Sequence, residues 1–204
     1  MSDVVEAPAR KRPRPGERRI QILQAIAAML EDGQPERVTT AALAERIGVS
    51  EAALYRHFAS KAQMYEGLLE FIEESLFGLI NRIEAGPDTP NEKARSILRV
   101  LLGFSDKNPG MTRVLIGEAI TFENTRLQAR VNQLLGRVEA SLRQCLKLSA
   151  LESSQGQPPE AGPATLASVC MAFVQGRWLR YAKSGFKEHP TADLELALAH
   201  LLPA

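Results

Sequence analysis

The sequence is poor in cysteine, histidine and aromatic residues. The scarcity of cysteine and histidine argues against disulfide-rich proteins and metal sites. Its 204 residues include two cysteines, three histidines and 5% aromatic residues. Cys145 and Cys170 are far apart, which fits neither a disulfide framework nor a zinc-binding spacing. Each cysteine lies in a helical apolar pattern, so both are expected to be small buried core residues.

Long apolar runs are also missing. No run approaches the roughly 18 apolar residues that span a bilayer. No apolar stretch follows the first methionine, so the sequence does not predict a signal peptide. A cytoplasmic protein is therefore expected.

The common signatures of enzymes do not occur in this sequence. It has no phosphate-cradling glycine loop, no HExxH motif and no nucleophile elbow. His57, His189 and His200 are too scattered to suggest a metal site. Carboxylates such as Glu73 and Glu74 fit solvated helix faces. We therefore predict no catalytic residue, no metal and no cofactor, and we expect a protein that is not an enzyme.

What the sequence does contain is a strong and repeated helical pattern. Leucine, alanine, arginine and glutamate abound, which favours helix over strand. Residues that can cap a helix precede the segments in which apolar residues recur at helical spacing. These capping residues are Thr39 or Thr40, Ser50, Ser60 with Gln63, and Thr89 with Pro90 and Glu92. No strand candidate is present, so the pattern predicts an all-α fold of about nine helices.

Charge and composition divide the chain into segments. Residues 1–16 form a predicted flexible basic arm, which could lie along phosphates or simply aid solubility. Residues 17–65 form a first helical domain, and residues 66–204 form a second one. Within the second domain, the run "ESSQGQPPEAGP" at 152–163 is predicted to be a flexible loop, because it is rich in glycine, proline and serine.

The segment "TTAALAERIGVSEAALYRHF", residues 39–58, predicts a helix-turn-helix. Only Gly48 and Val49 separate its two helices, and glycine can take the left-handed conformation that a sharp turn needs. Ala52 and Ala53 would let the second helix enter a major groove, where their methyl groups can meet thymine methyls. A helical hairpin without a DNA role is the alternative for this pattern seen alone.

Polar side chains around the same helices are suited to phosphate contacts. Tyr55 and His57 offer hydrogen bonds to phosphate oxygens, and Lys61 adds a positive charge at the start of the next helix. The full set of predicted DNA-binding residues is Thr39, Thr40, Ser50, Glu51, Ala52, Ala53, Tyr55, Arg56, His57 and Lys61.

The stretch "TTAALAERIGVSEAALYRHFASKAQMY" resembles the DNA-binding segment of TetR-family regulators. The resemblance implies three N-terminal helices for DNA, a fourth helix as connector and a helical C-terminal body. It also implies a homodimer that binds palindromic double-stranded DNA, with a four-helix interface formed by the last two long helices. Phe173, Trp178 and Tyr181 are expected at that interface, where large aromatic residues are enriched; the intrachain core is the alternative.

A narrower resemblance covers nearly the whole chain. The stretch "LLGFSDKNPGMTRVLIGEAITFENTRLQARVNQLLGRVEASLRQ" is similar to the nucleoid-occlusion branch of this family. That resemblance implies nucleoid association and DNA-activated disruption of polymers of the division protein FtsZ. The positions that match the partner-binding pattern are Phe71, Gly103, Lys107 and Asn108. Leu79 stands where this branch carries an arginine, and Arg82, one turn on, offers a charge nearby.

A ligand-responsive repressor of the same fold is the alternative function. It would need a mainly apolar pocket within the C-terminal body. The segment "VLLGFSDKNPGMTRVLIGEA" is apolar and helical, but apolar residues at this spacing usually belong to an ordinary hydrophobic core. No small-molecule ligand is predicted.

Overall fold

The computed structural model describes residues 16–32, 38–121, 125–153 and 162–203, and this part of the chain is helical throughout. The helices are α1 (Glu17–Asp32), α2 (Thr40–Ile47), α3 (Glu51–Tyr55), α4 (Lys61–Ala85), α5 (Pro90–Lys107), α6 (Pro109–Leu115), α7 (Thr125–Ser153), α8 (Pro163–Lys183) and α9 (Leu194–Leu201). A 3-10 turn spans Glu118–Ile120. The predicted all-α fold is confirmed. The basic arm at 1–15 and most of the predicted 152–163 loop lie outside the described residues.

Helix starts follow the predicted capping residues. The hydroxyl of Thr39 accepts the amide of Ala42 at 3.1 Å, so Thr39 rather than Thr40 caps α2. Ser50, Ser60 and Thr89 cap α3, α4 and α5 in the same way. Each hydroxyl satisfies a backbone donor that has no partner within the helix. Local sequence therefore sets where these helices begin.

The three N-terminal helices pack on one another, and their buried residues belong to the same continuous core as those of the bundle. Leu43, Leu54 and Phe58 are buried, and they join α2 and α3 to α1 and to the start of α4. The guanidinium of Arg19 lies 4.3 Å from the centre of the Phe58 ring. Gly67 of α4 leaves room for that ring, because a Cβ at Gly67 would lie 2.9 Å from Phe58 Cε1.

The C-terminal body is a bundle of α4, α5, α7 and α8, with α6 packed between this bundle and α1. The α1–α6 crossing is close because Gly110 has no side chain. This crossing and the α1–α4 contact connect the N-terminal helices to the bundle.

Candidate DNA-binding face and partner surface

The turn between α2 and α3 has the geometry of a tight helix-turn-helix corner. Gly48 has φ 73° and ψ 44°, the left-handed conformation that glycine adopts without strain. Its amide donates to the carbonyl of Glu45 at 3.0 Å, and the amide of Val49 donates to the carbonyl of Ala44 at 3.0 Å. Ala44 is 4% exposed, since α3 crosses α2 closely at this point. The predicted left-handed turn at Gly48 is confirmed.

Burial of Leu54 and Phe58 orients α3 and turns its other residues outward. Ala53 is half-buried, whereas Ser50, Glu51, Ala52, Tyr55, Arg56 and His57 are exposed. Tyr55 is 46% exposed, which is unusual for a large aromatic residue on a short helix. The methyl groups of Ala52 and Ala53 lie near the start of this outward face, and the polar side chains of Tyr55, Arg56 and His57 lie at its end.

Two of the predicted DNA-binding residues contact each other. The hydroxyl of Thr40 donates to Glu51 Oε2 at 2.6 Å, which ties the start of α2 to the start of α3. The bond holds the Glu51 carboxylate beside α2. Thr40 and Glu51 therefore help to fix the angle between the two helices.

Lys61 is the first residue of α4, close in sequence to the end of α3. Its ammonium lies 5.8 Å from the ring centre of Tyr65, which is fully buried. The positive end of the α4 dipole adds to the charge of Lys61 at this place. The position is suitable for a phosphate oxygen.

Arg19 has a role that the sequence did not reveal. Its Nη1 donates to the carbonyl of His57 at 3.5 Å, and its Nη2 lies 3.7 Å from Glu70 Oε2. Arg19 of α1 thus links the residues that follow α3 to α4. In the sequence, Arg19 is simply one of several basic residues near the N-terminus.

The residues predicted to bind a partner lie on α4 and at the end of α5, at similar distances from the connection between the two helices. The two helices are joined by residues 86–89 and run antiparallel. Phe71 lies about 14 residues before the end of α4, and Phe104 about 14 residues after the start of α5, so both stand roughly 21 Å from the connection. Phe71 is therefore level with the segment that carries Gly103, Lys107 and Asn108.

The four residues at this end differ in exposure. Phe71 is 43% exposed and Lys107 is exposed, whereas Gly103 and Asn108 are half-buried. A Cβ at Gly103 would meet no other heavy atom within 4 Å, so the surface there is open. Asn108 Nδ2 donates to the carbonyl of Phe104 at 2.7 Å, which closes the last turn of α5. We call the surface formed by Phe71, Gly103, Lys107 and Asn108 the α4–α5 surface.

Two of the three aromatic residues predicted at a dimer interface belong to the core of one chain. Trp178 is 0% exposed and Tyr181 is 2% exposed. The hydroxyl of Tyr181 donates to the carbonyl of Asp106 at 3.1 Å, which directs its ring toward α5. The expectation for these two residues was wrong, because α8 turns them inward and leaves no surface for a second chain. Phe173 is half-buried beneath the guanidinium of Arg177.

The opposite face of α8 carries an exposed apolar stripe. Val169 is 47% exposed and Leu179 is 43% exposed, and the small residues Ala172 and Gly176 lie between them. A Cβ at Gly176 would meet no atom of this chain within 4 Å. These four residues recur at helical spacing, so they form one strip along α8. We call it the α8 stripe.

The C-terminal segment runs antiparallel along α5 and is held there by polar side chains. Arg99 binds both carboxylate oxygens of Glu195 at 2.7 Å, and Arg95 donates twice to the carbonyl of Leu202. Asn91 donates to the carbonyl of Pro203 at 2.7 Å. The hydrogen bond from Arg99 lowers the pKa of Glu195, and the same bond raises the pKa of Arg99. The sequence did not predict this arrangement.

Both cysteines are buried thiols, as the sequence predicted. Desolvation raises the pKa of Cys170 to about 11 and also raises the pKa of Cys145. Among the residues that the structure describes, no three His, Cys, Asp or Glu side chains cluster as metal ligands would. No helix in the same residues is long and apolar enough to cross a membrane.

Two families match the chain. Residues 22–68 match the bacterial regulatory proteins of the tetR family, and residues 91–202 match the SlmA-like tetracyclin repressor-like C-terminal domain. The nucleoid occlusion factor SlmA of Vibrio cholerae is 49% identical over 180 residues, which cover 87% of this chain and 90% of that protein. The nucleoid occlusion factor SlmA of Alteromonas mediterranea is 48% identical over 174 residues, covering 85% and 88%.

A solved structure confirms the fold at much lower identity. The transcriptional regulator FadR of Bacillus subtilis, in complex with stearoyl-CoA, has a TM-score of 0.72 and 16% identity, covering 90% of this chain and 97% of that one. At this identity the likeness shows the TetR-like fold alone.

Proposed function

Because the chain belongs to the SlmA family of TetR-type regulators, we propose that it is a DNA-activated nucleoid occlusion factor that binds FtsZ. In this proposal a homodimer binds palindromic chromosomal sites and, while bound, disrupts FtsZ polymers. The observation that supports it best is an exposed aromatic residue, Phe71, that is not one of the residues of the DNA-binding face.

DNA recognition is assigned to α3 and its neighbours. The exposed Ala52 allows α3 to approach base edges, and Tyr55, His57 and Lys61 are expected to contact phosphates. Half to two-thirds of protein–DNA hydrogen bonds go to the backbone and orient a protein without reading sequence. Base preference is therefore expected to come from the small residues at the start of α3 and from the shape of the groove.

Dimerisation is assigned to the α8 stripe. An apolar strip that its own chain does not cover favours association, and the absence of a side chain at Gly176 allows a second helix to come close. A twofold dimer places two copies of α3 on one face. Their centres must lie about 34 Å apart to enter successive major grooves, or the DNA must bend.

The α4–α5 surface is suited to an acidic and partly apolar segment, which is the character that the family resemblance implies for the FtsZ tail. Phe71 supplies apolar area and Lys107 supplies charge. The carboxylate of the neighbouring Asp106 is directed toward the segment between α8 and α9, where His189 and Thr191 bond to its two oxygens at 2.7 and 2.8 Å.

One helix carries both proposed activities. Lys61 begins α4 beside the DNA-binding face, and Phe71 lies ten residues further, about 15 Å along the same helix. The two surfaces are thus close but do not share residues. Substitutions on one surface should leave the other intact.

Phe71→Ala tests the assignment of the α4–α5 surface. Truncating an exposed aromatic at the centre of a contact costs about 2 kcal/mol, so affinity for a labelled FtsZ tail peptide should fall about 30-fold. Lys107→Ala removes a charge at the rim and should cost less, about fivefold or below. Leu196→Ala is the matched control, because Leu196 is an exposed apolar residue on α9. Fluorescence anisotropy measures each protein against the peptide and against the palindrome.

Two results would contradict the proposal. Loss of both peptide and DNA binding in Phe71→Ala would mean that Phe71 maintains the fold rather than a contact. Wild-type protein that leaves FtsZ polymers unchanged in a sedimentation assay, with and without DNA, would favour the ligand-responsive repressor instead.

A further inference from the structure

A pocket of about 440 Å³ lies between the end of α8 and the segment that leads into α9. Neither the DNA-binding face nor the α4–α5 surface includes it. Its lining residues are Arg177, Arg180, Lys187, Glu188, His189 and Ala192. Two guanidinium groups and one ammonium stand against one carboxylate, so the pocket carries an excess of positive charge.

The walls of this pocket are fixed by a tightly bonded turn. Ser184 Oγ accepts the amides of Lys187 at 3.1 Å and Glu188 at 2.9 Å. Phe186 has φ 64°, a conformation that is rare and strained for a bulky residue. It is held there by edge-on packing against Tyr181, at 5.0 Å between ring centres, and by the guanidinium of Arg113, at 4.9 Å. Such strain persists only where the surroundings fix the backbone, so the turn before Lys187 is firmly held.

The far side of the pocket is also anchored. Arg177 Nη1 donates to the carbonyl of Ala192 at 2.8 Å. His189 and Thr191 bond to the two carboxylate oxygens of Asp106 on α5. The segment between α8 and α9 is therefore attached to three places, namely the end of α8, α6 and α5. The backbone that carries Lys187, Glu188 and His189 is therefore anchored on both sides of the pocket.

Glu188 shows what kind of group the pocket accepts. Its Oε2 accepts hydrogen bonds from Arg180 Nη2 at 2.8 Å and Arg180 Nε at 3.2 Å, charge-assisted bonds of the kind that guanidinium also donates to phosphates. Both side chains are more than half exposed. Exposed ion pairs of this kind are weak, so a ligand with several negative charges can replace one.

We propose that this pocket is a binding site for a small multivalent anion that carries phosphate or carboxylate groups. Arg177, Arg180 and Lys187 supply the attraction, and Glu188 occupies part of the site until the anion displaces it. The volume lies within the range of small-molecule sites. The inference does not depend on the proposed role in nucleoid occlusion.

Isothermal titration calorimetry of the full chain with inorganic pyrophosphate tests the site, and citrate in a parallel titration separates phosphate from carboxylate recognition. Lys187→Gln and Arg180→Gln should each weaken binding about fivefold, as expected for the loss of one exposed charge contact. Glu188→Gln should tighten binding about threefold, because it removes the competing carboxylate. Lys183→Gln is the matched control. Lys183 is an exposed cation at the end of α8, and it does not line the pocket. Its affinity should stay within about twofold of wild type.

The opposite sign expected for Glu188→Gln separates a binding role from a structural one. A substitution that only disturbed the turn would weaken binding, so weaker binding by a folded Glu188→Gln variant would overturn the proposal. Equal losses for Lys183→Gln and Lys187→Gln would also overturn it, because they would indicate diffuse surface charge. No saturable binding of either anion to the wild-type chain would do the same.

Discussion

The crossing of α6 over α1 leaves no room for a side chain at Gly110. A Cβ at this position would lie 1.9 Å from the carbonyl oxygen of Ala27, 2.8 Å from its carbonyl carbon and 3.1 Å from the amide nitrogen of Glu31. All three are backbone atoms, which cannot rotate away as a flexible side chain would. Gly110→Ala must therefore move the two helices apart by roughly 1–1.5 Å to restore ordinary contact distances.

The expected change in stability combines two opposing effects. Alanine in place of glycine within a helix stabilises by about 1 kcal/mol. Overpacking typically destabilises by about 1–3 kcal/mol, and a clash between backbone atoms belongs at the upper end of that range. The net effect is a loss of about 2 kcal/mol. For a chain of this length, it lowers Tm by about 4–8 °C.

Gly78→Ala is the matched control. Gly78 lies within α4, and a Cβ there would meet no other atom within 4 Å. This variant should gain the helix preference without a clash, so its Tm should rise by about 2–4 °C. Scanning calorimetry measures both variants and the wild type under one set of conditions.

DNA binding offers a second measure of the Gly110 substitution. The α1–α6 crossing connects the N-terminal helices to the bundle, so a displaced α1 changes the distance between the two copies of α3 in a dimer. Affinity for a palindrome should fall as a result, and anisotropy can measure it below the lowered Tm. If Gly110→Ala instead raises Tm as much as Gly78→Ala does, the close α1–α6 approach is wrong.

Three further substitutions test the DNA-binding face, the dimer and the core. Ala52→Glu should abolish specific DNA binding with unchanged circular dichroism, because glutamate favours helix but brings charge and bulk against phosphates; retained palindrome affinity would refute docking of α3 in the groove. Leu179→Glu places a charge in the α8 stripe, so sedimentation velocity should report monomers, and an intact dimer would remove this face from the interface. Burial raises the pKa of the Cys170 thiol above its unfolded value of 9.0 to about 11, so stability should be lost as pH rises from 9 to 11. Cys170→Ala should reduce that loss in urea titrations, and identical pH profiles would contradict it.

Much of the N-terminal half follows from local sequence. The caps at Thr39, Ser50 and Ser60 and the left-handed turn at Gly48 depend on residues within three or four positions along the chain. Interactions over such short distances leave a direct signature in the order of residue types. The helix-turn-helix and the exposed Ala52 and Tyr55 could therefore be predicted before any tertiary contact was known.

Contacts between distant segments left no such signature. Arg99 binds Glu195 and Asp106 binds His189 across more than 80 positions of sequence. The close approach at Gly110 depends on Ala27, a residue of another helix. In the sequence, each of these residues resembles an ordinary surface charge or a turn glycine. The attachment of the C-terminal segment, the α1–α6 crossing and the basic pocket were consequently not predicted.

In α8, helical periodicity divides the apolar side chains into two faces, but only packing within the fold selects the face that is buried. Helical spacing places Trp178 and Tyr181 on one face, and Val169 and Leu179 on another. Both faces are apolar, so periodicity cannot indicate which one turns inward. Packing against α5 and α7 decides it, since the larger aromatic rings fill the core and the smaller residues remain exposed on the α8 stripe.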